Sequence, residues 1–122
     1  MVLVPPFLLR TLYVKGSLRN IEGGFEFQLR NKLGSGYAHA LLPLEVDGKE
    51  IAADLSFFVV DDTETPFAAV CKESPVTLAV NKTSAIRVRG ETLTPGAHKL
   101  KMGFVVAGLG SLSFDFTDTV AD

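Results

Sequence analysis

Apolar and polar residues alternate with a period of two along most of the chain, the signature of half-buried strands. Residues 11–18 place Leu12, Val14 and Leu18 on one face, with Tyr13, Lys15 and Ser17 opposite. The turn formers of Arg19 to Gly24 end this strand, and the polar run before Gly23-Gly24 predicts a loop of more than two residues. Residues 24–31 repeat the pattern, with Phe25, Phe27 and Leu29 inward and Glu26, Gln28 and Arg30 toward water. In residues 37–46 Leu42, Leu44 and Val46 alternate, and Pro43 marks an edge or a bulge because it has no N–H to donate. Asp47-Gly48 between extended flanks predicts a tight type I′ hairpin.

Leu55 to Val60 is a short apolar run that ends in Asp61-Asp62-Thr63-Glu64, and its length favours a strand. Pro66 to Cys71 reads as either a short helical turn or a brief strand. Residues 76–80 and 85–89 supply two short strands, and Gly90 to Gly96 a turn region with Leu93 as an inward plug. The longest alternation follows, with His98, Leu100, Met102, Phe104 and Val106 on one side. Gly108-Leu109-Gly110 reverses the chain into a last strand carrying Leu112, Phe114 and Phe116.

Connections this short exclude parallel crossovers, so the fold class is all-β: an antiparallel β-sandwich of about eight or nine short strands with little helix. The domain plan is an apolar, Pro-containing arm over residues 1–10, one sandwich over 11–117 and a short acidic tail over 118–122. Pro5-Pro6 predicts an extended arm. It packs Phe7, Leu8 and Leu9 either on its own domain or on a neighbouring subunit.

Composition narrows the function mainly by exclusion. The chain has 122 residues, 47% of them hydrophobic, enough for one core without disulfides or a structural metal. A net charge of −2 argues against a nucleic-acid surface. The N-terminal apolar run lacks a basic leader and is broken by prolines, and no stretch reaches the roughly 20 apolar residues that span a bilayer. A single cysteine, Cys71, rules out an intramolecular disulfide and fits a reducing compartment, so the expected location is cytoplasmic. Its apolar neighbours predict a buried thiol.

Candidate chemistry is sparse. His39, Asp61, Asp62 and His98 are the only set that could support acid–base work, with a histidine accepting a proton and the aspartates orienting it or holding a cation. The acidic turn at 61–64 would bind magnesium or calcium only if other oxygens converged on it. The metal motifs, the nucleophile elbow and the phosphate loops are missing, so no catalytic, metal or cofactor residue is assigned and no cofactor is expected. Apolar residues in loops offer an interface instead: Phe7, Leu8 and Leu9 in the arm, then Tyr37 and Phe67.

Lys15-Gly16-Ser17-Leu18-Arg19-Asn20, Gly24-Phe25-Glu26-Phe27, Val46-Asp47-Gly48-Lys49-Glu50-Ile51 and Leu93-Thr94-Pro95-Gly96-Ala97-His98-Lys99-Leu100 together resemble small sandwich proteins related to the C-glycoside deglycosidase β subunit. The resemblance covers residues 12–106. It implies an accessory subunit beside a larger, metal-bearing carbohydrate-active enzyme, and it transfers no metal ligand or acid–base role to this chain. The leading expectation is therefore a noncatalytic accessory or interaction subunit, as a homo-oligomer or with a larger enzyme subunit, without nucleic acid or membrane. The alternatives are a small-ligand or carbohydrate-binding sandwich and an enzyme whose site is shared across subunits.

Overall fold

The computed structural model describes residues 4–120. Among them the strands are β1 (Arg19–Ile21), β2 (Gly24–Arg30), β3 (Gly36–Leu41), β4 (Glu45–Val46), β5 (Lys49–Glu50), β6 (Ser56–Val60), β7 (Thr63–Pro66), β8 (Val76–Leu78), β9 (Thr83–Arg89), β10 (Gly96–Val106) and β11 (Gly110–Val120). They form two antiparallel sheets, an all-β sandwich as the alternation predicts. One sheet runs β1-β2-β9-β6-β7. The other is built around β10, which pairs with β11 along its whole length and, on its other edge, with β4 and then β3. Beyond those lie β5 and β8.

Period-two side chains from both sheets meet in one core. Phe25 and Phe27 of β2, Ile86 and Val88 of β9, and Leu100 and Met102 of β10 are all buried. Each phenylalanine removes roughly 150–250 Å² from water, and Phe25 and Phe27 are the largest of the fully buried side chains. His98, Leu100, Met102, Phe104 and Val106 all face inward, as their spacing predicts.

The turns explain where the sequence reading holds and where it fails. Asp47 and Gly48 both take positive φ, 52° and 85°, and close the β4–β5 hairpin directly between Val46 and Lys49. Asp61 and Asp62 do the same at 51° and 65°, which aspartate tolerates better than most residues. The acidic stretch is therefore a second tight turn, and the chain returns through β7, a strand its polar composition conceals. The β1–β2 connection is also tight, Glu22-Gly23 between Ile21 and Gly24, and not the longer loop expected. Pro43 divides the expected strand 37–46 into β3 and β4. Pro66 to Cys71 resolves as a helical turn over Phe67–Ala69.

The N-terminal segment departs most from expectation. Pro5 is extended, but Pro6 occupies the first helical position and opens a turn, Pro6–Leu9, that tightens into Arg10–Leu12. Residues 11–18 are not a strand. Only Tyr13 bridges to Leu29, Val14 N–H donates to the Gln28 carbonyl, and a turn at Lys15-Gly16 breaks the pairing until Arg19. The segment spans the side of the sandwich between β2 and β11. At the other end of the chain, β11 continues to the buried Val120, so Asp118 and Thr119 belong to a strand and not to a tail. Residues 121–122 of the expected tail and 1–3 of the expected arm lie outside the described residues.

The two ends of the sandwich differ. At one end Leu93 inserts as the expected plug. The Asn20 amide fixes it, donating to the Leu93 carbonyl and accepting from its N–H, both at 2.8 Å. Among the described residues the opposite end is open.

Candidate functional site

At the open end the sheets enclose an apolar cavity of about 270 Å³. Leu29, Phe58 and Val60 supply its wall from the first sheet, Phe104, Val106 and Leu112 its wall from the second, and Leu9 and Leu12 close one side. Ser84 pairs directly with Leu29, so its hydroxyl shares the inward face of that wall. Lys82 stands at the rim, with its Nζ 2.9 Å from both carboxylate oxygens of Asp61.

Asn31 builds the rest of the rim. Its amide donates to the carbonyls of Gly34 and Leu78 and accepts from the N–H groups of Leu33 and Gly34. Its main chain bonds Asn81 and Lys82. One residue therefore holds both loops that frame the opening. Leu33, Tyr37 and Val80, three exposed apolar side chains, belong to those loops or to β3 beside them.

The ionisable groups are concentrated elsewhere. On the outer face of the first sheet, Glu26 was expected to face water, yet it is 5% exposed. It points away from the core as the alternation requires, but Arg19 at 2.7 Å and Arg87 at 3.2 Å cover it. Glu64 bridges Arg87 and Arg89, whose hydrogen bonds hold its carboxyl below the usual range. Arg89 also lies over the Phe57 ring.

At the plugged end His98 Nδ1 lies 2.6 Å from Asp47 Oδ2, and Nε2 lies 2.7 Å from the Thr94 carbonyl. Both partners are acceptors, an arrangement that favours the protonated imidazole with both ring nitrogens donating. The Asp47 bond, then the Thr94 carbonyl, raises the His98 pKa above its ordinary 6.5. In turn His98, then the Lys99 N–H, lowers that of Asp47. The His98 contribution to stability is complete below about pH 6.5 and lost as pH rises through the raised folded value. The contributions of Asp47, Glu64 and Asp118, all lowered, are present above about pH 4 and lost on acidification. Stability is therefore expected to peak between those limits, and His98→Gln to abolish the decline on the alkaline side. Thermal melts from pH 4 to 9 check this; an unchanged alkaline slope in the variant contradicts it.

Tyr13 ties the N-terminal segment to β11. Its ring stacks on Phe116 at 3.7 Å, its hydroxyl donates to Asp118 Oδ2 at 2.6 Å, and it accepts from the Leu18 N–H. Burial, then the Asp118 bond, pushes its pKa up to about 12. Tyr13→Phe keeps the stack and removes both hydrogen bonds, so it is expected to cost about 1–3 kcal/mol in urea unfolding with an unchanged m-value.

The sequence-nominated catalytic set does not assemble. His98 pairs with Asp47, which sequence reasoning used only as a turn residue, whereas Asp61 pairs with Lys82. His39 lies in β3, opposite the Val105–Val106 end of β10. Seven residues separate that end from His98, about 23 Å along the strand. Among the described residues no group of three or more His, Cys, Asp or Glu side chains could hold a metal ion. The nominated interface divides too: Phe7, Leu8 and Tyr37 are exposed, but Leu9 and Phe67 are buried in their own core. Cys71 is exposed, not buried, because it sits in a surface turn with Ser74. No helix among the described residues is long and apolar enough to cross a membrane.

A family model described as hydroxymethylglutaryl-CoA reductase, N-terminal domain, matches residues 8–121. This overturns the resemblance to the C-glycoside deglycosidase β subunit, which rested on turn residues that many sandwiches share. No curated protein matches the chain.

Proposed function

The chain belongs to the hydroxymethylglutaryl-CoA reductase N-terminal domain family, and from that premise we propose that it is a noncatalytic accessory domain acting with a reductase catalytic unit. The observation that carries the reading is the separation of chemistry from concavity. The His98–Asp47 pair, the Tyr13–Asp118 pair and the Glu26–Arg87–Glu64 network are spent on holding turns and strands together. The cavity has apolar walls, with Lys82 the one charged lining residue among the described residues. General acid–base catalysis needs proton-transfer groups within hydrogen-bond reach of a bound substrate, and among the described residues the cavity walls lack such a pair.

In the same reading, contact with the catalytic unit or with a second copy runs through exposed apolar side chains, with Phe7, Leu8 and Tyr37 as anchors. A single exposed thiol supports a reducing, cytoplasmic setting. Light scattering of the full chain, alone and mixed with a hydroxymethylglutaryl-CoA reductase catalytic unit, tests the proposal. The expected result is a stoichiometric complex that Phe7→Asp with Leu8→Asp dissociates. Two separate monomeric species would sink the reading, as would reductase turnover by the chain alone.

A further inference from the structure

The geometry points to the open-end cavity as a binding site for a single-chain aliphatic carboxylate, chain inside and carboxylate at Lys82. This goes beyond the accessory role, which needs no ligand. At about 30 Å³ for each water-sized unit, 270 Å³ accommodates roughly nine methylene-sized groups, a medium-length chain. The walls are aliphatic and aromatic side chains from both sheets, which favour a chain over a polar body.

The head group follows from the rim. Among the described residues Lys82 is the one charged side chain lining the cavity. Its ammonium has three donors, so it can take a ligand carboxylate while keeping Asp61. Ser84 adds a hydroxyl on the inward face of β9, just beyond Lys82 along the chain. The opening is preformed, because Asn31 ties the 33–34 loop and the Asn81–Lys82 turn together through side chain and main chain. A rim fixed before binding lowers the ordering cost of taking up a ligand. The plugged end offers no such opening, since Leu93 occupies the corresponding position there.

Calorimetric titration of the full chain with hexanoate, octanoate, decanoate and dodecanoate tests the site. Affinity is expected to rise about fourfold per added methylene, then to level once the cavity is filled. Methyl NMR shifts are expected at Leu112 and Val106, not at Leu93. Decanol is expected to bind about three- to tenfold more weakly than decanoate. Lys82→Gln should bring decanoate down to the level of decanol without changing decanol. Asp61→Asn, which leaves Lys82 uncommitted, should strengthen decanoate binding. The assignment is overturned by the absence of saturable decanoate binding at millimolar concentration, by decylammonium binding as tightly as decanoate, or by shifts confined to other parts of the molecule. Ligand-free shifts at Leu33 and Leu109 that depend on protein concentration would overturn it in favour of a second copy seated on the opening.

Discussion

Gly24→Ala is expected to destabilise the protein by about 3–5 kcal/mol, a loss large enough to abolish folding of a marginal domain. Gly24 is buried at the start of β2, and a Cβ built there falls on the carbonyl oxygen of Val88. That oxygen belongs to the backbone of β9, which pairs with β2 on one side and β6 on the other. Neither neighbour can retreat without breaking a ladder, so the clash has no flexible side chain to absorb it. Gly16→Ala is the matched control. Gly16 has φ +85° but open space around its Cα, so only backbone strain of about 1 kcal/mol is expected. Chemical denaturation of both variants checks the contrast, and equal losses would show that the contact at Val88 is not the cause.

Phe27→Ala is expected to cost about 3–5 kcal/mol, from lost transfer energy and from the cavity left behind. Phe27 is fully buried and touches Tyr13 and Phe116 edge-on, with ring centroids at 6.0 and 5.1 Å. It is therefore the hinge between β2, the N-terminal segment and β11. Phe27→Leu retains most of the volume and loses the aromatic contacts, so it should cost clearly less. If alanine and leucine proved equivalent, packing volume at this site would not be what matters.

The large strands were legible because their cause is local. Alternation in β2 and β10, and positive φ at Asp47-Gly48, are properties of a few consecutive residues. Strand β7 escaped because Thr63 to Pro66 carries no apolar alternation, and a tight Asp61-Asp62 turn does not announce a return strand. Residues 11–18 misled for the opposite reason. Their apolar side chains are buried from a turning backbone, Leu12 and Leu18 in the core and Tyr13 against Phe27 of one sheet and Phe116 of the other, so the pattern is strand-like while the chain is not. Glu26 was read on the correct face, but its burial depends on Arg19 and on Arg87 from β9, 61 positions away. The open cavity left no local trace, since its walls come from strands and loops scattered between Val4 and Leu112.

The attachment of the first residues to β11 has a consequence for the order in which the molecule can be made. Arg10, Tyr13 and Gly16 bond to Asp115 or Asp118, partners 102 to 105 positions later in the chain. At a ribosomal rate of about 5–20 residues per second, roughly 5–20 s pass between the synthesis of one partner and the other. Throughout that interval Tyr13 has no Phe116 to stack on, and in its last seconds β10 has emerged but still lacks β11 along its long edge. The final closure therefore waits until β11 has been made. The newborn polypeptide spends its most aggregation-prone seconds with the central strand of its second sheet half paired.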